Sequence, residues 1–278
     1  MPGQTAIRRY ALLLEYDGTE LAGSQAQAAV RTVQGELEEA ARRLSRQTVR
    51  VAFAGRTDAG VHAVGQVAAL TLPGAHPPET VRDALNHYLP RDVAVRAASL
   101  VGERFDPRRE AVSRVYRYRL ADGRGRSPLA RRWAWERRAP LDAQAMAEAA
   151  ARWPREQADW AAYASPVPGG YPTLRTLRRC EVERRGANRL DVTVEADGFL
   201  PHQVRRMVGA LERVGVGREG LAWPAARLAG EPGSAGPTAP ALGLALCRVR
   251  YPPGTVRWET GRWETGTRDD DNKDLPPA

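Results

Sequence analysis

The chain has 278 residues, about twice the usual length of one compact domain, so two domains or an internal duplication are expected. Hydrophobic residues make up 42% of it, yet no apolar run approaches the roughly 18 residues that span a bilayer, and the first ten residues hold no apolar leader core, so a cytoplasmic protein with no membrane partner is expected. The balance of 42 Lys+Arg against 33 Asp+Glu gives a net charge of +9, and Lys273 is the only lysine. The positive charge is therefore almost all guanidinium, which grips phosphate bidentately and stacks on bases, so a polyanionic partner such as nucleic acid suits it.

Tyr10 to Tyr16 (YALLLEY) is rich in strand formers and ends in the turn signal Asp17-Gly18. Thr32 to Leu44 puts Val33, Leu37, Ala40, Ala41 and Leu44 at helical spacing, with acids early and Arg42 and Arg43 late, as the helix dipole favours. Val49 to Ala54 alternates like a half-buried strand, Gln66 to Leu72 reads as another, Pro77 to Leu89 as a helix and Val93 to Leu100 as a strand. After Phe105 the same order recurs. It runs through a strand at Ser113 to Leu120, a helix at Leu141 to Trp153, strands at Leu174 to Arg184 and Arg189 to Ala196, a helix at Pro201 to Val214 and a strand at Leu244 to Tyr251.

Two tandem split β-α-β units are the economical fit: an α+β chain of two ferredoxin-like domains, each with helices on the outer face of an antiparallel sheet. The expected domains are 1–104, 105–253 and a disordered tail, 254–278, which holds the short RWETG duplicate and an acidic run.

Polar and special-backbone residues concentrate at Ala54 to Ala63 (AGRTDAGVHA), where Gly55 and Gly60 permit tight turns around Arg56, Thr57, Asp58 and His62. A carboxylate at a strand end beside an arginine can serve as nucleophile or general base; it can equally be a turn residue that caps its own backbone. Cys180 and Cys247 have no CxxC spacing, and the four histidines form no zinc-binding pattern. A P-loop and a G-x-S-x-G elbow are absent too, so no cofactor and no metal is expected.

AGRTDAGVHA closely resembles the motif of the TruA family of tRNA pseudouridine synthases. Matching stretches follow in family order: EYDGT at Glu15 to Thr19, NHYLP at Asn86 to Pro90, FDPRREAVSRVYRY at Phe105 to Tyr118, FLPHQVRRMVGAL at Phe199 to Leu211 and TAPALGL at Thr238 to Leu244. The resemblance implies two sheets joined along a central cleft and an enzyme that isomerises uridines 38–40 in the anticodon stem and loop of tRNA. It also implies a homodimer in which one tRNA contacts both subunits. By the same resemblance Asp58 is the catalytic aspartate, Arg56 helps hold the target nucleotide out of its helix, and Arg205 pairs with the aspartate. Tyr116 stacks on uracil, Leu244 lines the pocket, and Asn86 and His202 are substrate-binding candidates.

The chain also departs from the family pattern. Gly23-Ser24-Gln25 stands where the family usually has Gly-Trp-Gln, His87-Tyr88 replaces a commoner small-Asn step, and Pro201 interrupts the approach to the arginine helix. Two rival classes are a non-catalytic basic RNA-binding protein with RRM-like sheets, which would tolerate loss of Asp58, and a glycoside-type hydrolase. The latter needs a second carboxylate, for which Glu15 and Asp17 are the candidates.

Overall fold

A computed structural model describes residues 6–123 and 125–258. The chain forms two compact units, one holding the described residues up to Val112 together with those from Leu246 onward, the other Ser113–Ala245. Both are mixed α/β with mostly antiparallel strands.

The first unit runs β1 (Ile7–Tyr16), α1 (Val33–Ser45), β2 (Ala52–Phe53), β3 (His62–Pro73), α2 (Pro78–Tyr88) and β4 (Val93–Val101). Its strands lie in the order β4-β1-β3, antiparallel throughout, with β2 paired to β3. The central β1 is buried from Tyr10 to Leu14 and at Tyr16, which explains why it reads as a continuous apolar run and not an alternation. Helix α1 starts at the Thr32 cap, whose hydroxyl accepts the Gly35 N–H, and buries Val33, Leu37, Ala40 and Ala41.

The strand expected over Val49 to Ala54 shrinks to two residues. Val49 and Val51 are buried as the alternation required, but side chains of α1 satisfy the Val51 backbone: its N–H donates to Glu38 Oε1 at 3.1 Å and its carbonyl accepts Gln34 Nε2 at 3.4 Å.

The second unit runs β5 (Ser113–Asp122), β6 (Trp135–Arg137), α3 (Ala143–Ala151), β7 (Gln157–Asp159), β8 (Leu174–Arg184), β9 (Arg189–Ala196), α4 (Gln203–Gly215) and the single turn α5 (Trp223–Ala226). Its strands lie in the order β5-β9-β8-β7, with β6 parallel to the end of β5. Tyr116, Tyr118 and Leu120 alternate onto one face opposite Val194, Val192 and Leu190. The other face carries Arg117, Arg119, Asp191 and Thr193, all buried, with Arg119 Nε 3.7 Å from Asp191 Oδ1.

The last strand, β10 (Leu244–Arg250), lies beside β3 in the first unit from Leu246 onward. Within the tail expected to be disordered from residue 254, Val256 is buried with Ala11, Ala69 and Phe105, and Trp258 packs against them. The remainder of that extension, from residue 259, lies outside the described residues. Cys180 is a buried free thiol pushed up to about 12 by burial, and Cys247 is a half-buried one.

Asp122 ties the end of β5 to the start of α3. It accepts the Leu141 N–H at 2.7 Å and both terminal nitrogens of Arg184 at 2.9 and 3.0 Å. Burial opposes its charge, but the guanidinium and the amide outweigh burial and hold the carboxyl below the usual carboxylate range. A carboxyl held low adds stability above its unfolded value of about 3.9, and that stability is lost as pH falls through the folded value. Asp122→Asn should therefore be clearly less stable than wild type at neutral pH, with the gap narrowing as pH falls below about 3.9. Urea melts at several pH values test this, and a gap that stays constant across them would contradict it.

Candidate active site

Asp58 lies in the loop between β2 and β3, half-buried, with the exposed Arg56 two residues before it. The loop is held through Thr57, which is buried. Thr57 N–H donates to Ser24 Oγ at 2.9 Å, Ser24 N–H donates to the Thr57 carbonyl at 3.1 Å, and the Thr57 hydroxyl meets the Tyr16 hydroxyl at 2.8 Å. Upstream, the Gly55 carbonyl accepts Gln66 Nε2 at 2.9 Å. Downstream, Gly60 N–H donates to the Leu21 carbonyl at 3.3 Å and the His62 Nδ1 accepts the Gly18 N–H at 3.0 Å.

The segment from Tyr16 to Ser24 thus lies along the loop from Gly55 to His62 and fixes it on both sides of Asp58. Gly23 makes the approach possible: it sits at φ 93°, and a Cβ there would stand 2.7 Å from the Thr57 carbonyl oxygen.

Tyr16 and Gln66 are fully or nearly fully buried. Burial pushes the Tyr16 phenol up to about 12, although its hydrogen bonds to Thr57 and Gln66 pull the other way. The hydroxyl therefore stays protonated through the neutral range. Arg56 makes no hydrogen bond or ion pair among the described residues, so the charge partnership with Asp58 expected from the sequence is not present in this geometry. Its exposed side chain is displayed outward from a rigid loop.

The second unit positions the other candidates. Tyr116 is 7% exposed on β5, with its ring edge-on to Phe199 at a centroid distance of 5.2 Å. Tyr118, two residues on, is fully buried and donates to the Pro240 carbonyl at 2.8 Å. Arg205 lies in the first turn of α4, where its Nε donates to the Ala239 carbonyl at 2.8 Å and its own carbonyl accepts the Ala239 N–H at 3.1 Å.

The segment holding Ala239 and Leu244 packs against β5. A Cβ on Gly243 would fall 2.7 Å from the Tyr118 ring, so only glycine fits there, and Leu244 beyond it is buried. Within this unit, then, Arg205 and Leu244 are tied to one segment that rests on the strand of Tyr116. His202 caps α4 in the left-handed region at φ 62°, with its Nδ1 2.5 Å from Ser165 Oγ.

Asn86, on α2, is placed differently. Its amide bonds both the N–H and the carbonyl of Val95, each at 2.8 Å, where the pairing of β1 with β4 shifts register. From the sequence Thr57 is only a member of the loop motif, Ser24 only a departure from the family pattern, and Tyr16 and Gln66 only strand ends; their bonds, which act across 11 to 50 residues of chain, are not legible there. Among the described residues no group of three His, Cys, Asp or Glu side chains gathers as metal ligands would.

Residues 13–108 and 157–252 match the family model described as tRNA pseudouridine synthase. Asp58 and Asn86 fall in the first stretch, His202, Arg205 and Leu244 in the second, and Tyr116 between them. The chain is 47% identical over 246 residues to tRNA pseudouridine synthase A of Methylobacterium nodulans, covering 88% of this chain and 96% of that protein. It is 43% identical over 247 residues to the protein of the same name from Myxococcus xanthus, covering 88% and 93%. With that of Chloroflexus aurantiacus it shares 42% identity over 265 residues, covering 91% and 92%. On the extent of the family match and these identities, the chain belongs to the tRNA pseudouridine synthase family.

Proposed function

We propose that Asp58 is the carboxylate through which this tRNA pseudouridine synthase isomerises uridine, at positions 38–40 of the anticodon stem and loop. The observation that carries the reading is the build of its loop, with Thr57 hydrogen-bonded inward at its N–H, carbonyl and hydroxyl while the Asp58 side chain remains half-exposed.

In the reaction the bond from ribose C1′ to N1 of uracil breaks and one from C1′ to C5 forms; C5 gives up a proton and N1 regains one. No atom or electron is gained, so the chemistry balances within the substrate. It needs a carboxylate that attacks C1′ or removes a proton from the sugar, and walls that keep the detached base in place.

Freeing the base from its stack costs a few kcal/mol, and the outward-facing Arg56 is the wedge that helps pay for it. Tyr116 stacks on the extruded uracil, Leu244 forms the apolar wall, and Arg205 is the charge partner of the carboxylate. Anchoring of the Arg205 Nε to Ala239 supports that role, since it limits the directions the guanidinium can take. His202 contacts a phosphate. Asn86 enters through the register of β4 that it fixes.

The reading includes two ferredoxin-like domains, the first carrying Asp58 and the second carrying Tyr116, Arg205 and Leu244. The order β4-β1-β3-β2 in the first unit and β5-β9-β8 in the second supports it. The reading also includes a cytoplasmic homodimer in which one tRNA contacts both subunits; membership of the tRNA pseudouridine synthase family supports it.

Unmodified tRNA carrying tritium at C5 of uridine tests the assignment. Wild-type protein should release the label without freeing uracil, and Asp58→Asn should lose at least about a thousandfold in rate while still retaining tRNA on a filter. Turnover by Asp58→Asn near the wild-type rate would remove Asp58 from the mechanism. Asn86→Ala, which strips two backbone groups of Val95 of their partners, should lower stability by about 2–4 kcal/mol in urea melts. An unchanged midpoint would show that β4 does not depend on it.

A further inference from the structure

We infer that Ser24 is a positioning residue for the catalytic carboxylate, setting the direction of Asp58 through the backbone of Thr57; the inference rests on the assignment of Asp58 above. Ser24 is completely buried, and each of its polar groups is used. Its Oγ accepts the Thr57 N–H, its N–H donates to the Thr57 carbonyl, and its carbonyl accepts the Gln34 N–H in the first turn of α1. The preceding Gly23 carbonyl accepts the Val33 N–H. Two residues therefore join the start of a 13-residue helix to the residue immediately before Asp58.

Three of these four bonds run between backbone groups and would survive any side chain. The fourth depends on the serine oxygen, and without it the buried Thr57 N–H has no acceptor there. The Thr57 N–H lies in the peptide plane that Thr57 shares with Arg56, adjacent to the plane that joins Thr57 to Asp58, so a rotation of the first plane toward a new acceptor shifts the Thr57 Cα and, through it, the backbone that carries the Asp58 side chain. In a reaction driven by the placement of one oxygen against C1′, a shift of that kind slows chemistry more than it weakens RNA binding.

The test compares Ser24→Ala with wild type and with Asp142→Ala. The latter removes the cap of α3, the Ala145 N–H to Asp142 Oδ1 bond of 2.9 Å, and loosens the fold away from the loop. The readouts are tritium release in a single turnover at saturating enzyme, tRNA retention on filters and thermal unfolding. Ser24→Ala should react about tenfold more slowly with tRNA affinity within about twofold of wild type, whereas Asp142→Ala should melt earlier yet keep the wild-type rate.

Ser24→Thr, which keeps the oxygen, should recover the rate. Ser24→Cys, close to serine in size but a weaker acceptor, should fall between serine and alanine, and it carries the test if Ser24→Ala or Ser24→Thr fails to fold. A wild-type rate in Ser24→Ala, or in Ser24→Cys where that variant stands in for it, overturns the inference, as does an equal slowing in Asp142→Ala, which would mark the effect as lost stability. Activity in Asp58→Asn is a separate result and sinks the underlying assignment instead.

Discussion

Thr57 exchanges two hydrogen bonds with Ser24, N–H to Oγ and carbonyl to N–H, and the placement of the half-exposed Asp58 follows from that exchange. A carboxylate in contact with water cannot be held by burial. Its backbone has to be held instead, and here the buried neighbour on its N-terminal side is fixed at three polar groups while Gly60, two residues on, is tied to the Leu21 carbonyl. The load passes through Gly23 and Ser24 into α1 and through β3 into a sheet whose central strand is buried on both faces, so a mobile-looking turn inherits the rigidity of the core.

The second unit uses the same device with different parts. Arg205 could swing freely at the start of α4, but the reciprocal pair of bonds with Ala239 fixes both its backbone and the Nε end of its side chain. The segment bearing Ala239 is itself seated on the Tyr118 ring at Gly243, and Tyr118 donates to Pro240 of that segment. Tyr116 and Tyr118 divide their strand face accordingly: Tyr118 is fully buried and bonded to Pro240, and Tyr116 stands edge-on to Phe199.

Elements with a strong period were legible in the sequence, because burial of one face is written locally: α1, α2, α4 and the long strands β1, β3, β5, β8 and β9 all lie where their patterns put them. Strands β6 and β7 span three residues each and exist only because a neighbouring strand offers its edge, which no local pattern announces. The apolar alternation of Val49 and Val51 was read correctly as burial and incorrectly as a full strand, since Gln34 and Glu38 supply the bonds that a neighbouring strand would have given.

Asp58 was visible through its motif. Ser24 entered only as a missing aromatic, because the hydrogen bond that gives it meaning joins residues 33 apart in the chain. A side chain's partner across such a distance is a property of the fold, and a single sequence holds it only implicitly.

The side chains that hold Thr57 and Gly55, upstream of and beside Asp58, do not titrate near neutrality. Ser24, Thr57 and Gln66 have no proton to lose near neutrality, and burial pushes the Tyr16 phenol to about 12, so its hydroxyl is present across the whole physiological range. Had a histidine or a carboxylate held Thr57, the direction of Asp58 would vary with pH even where the charge of Asp58 itself did not.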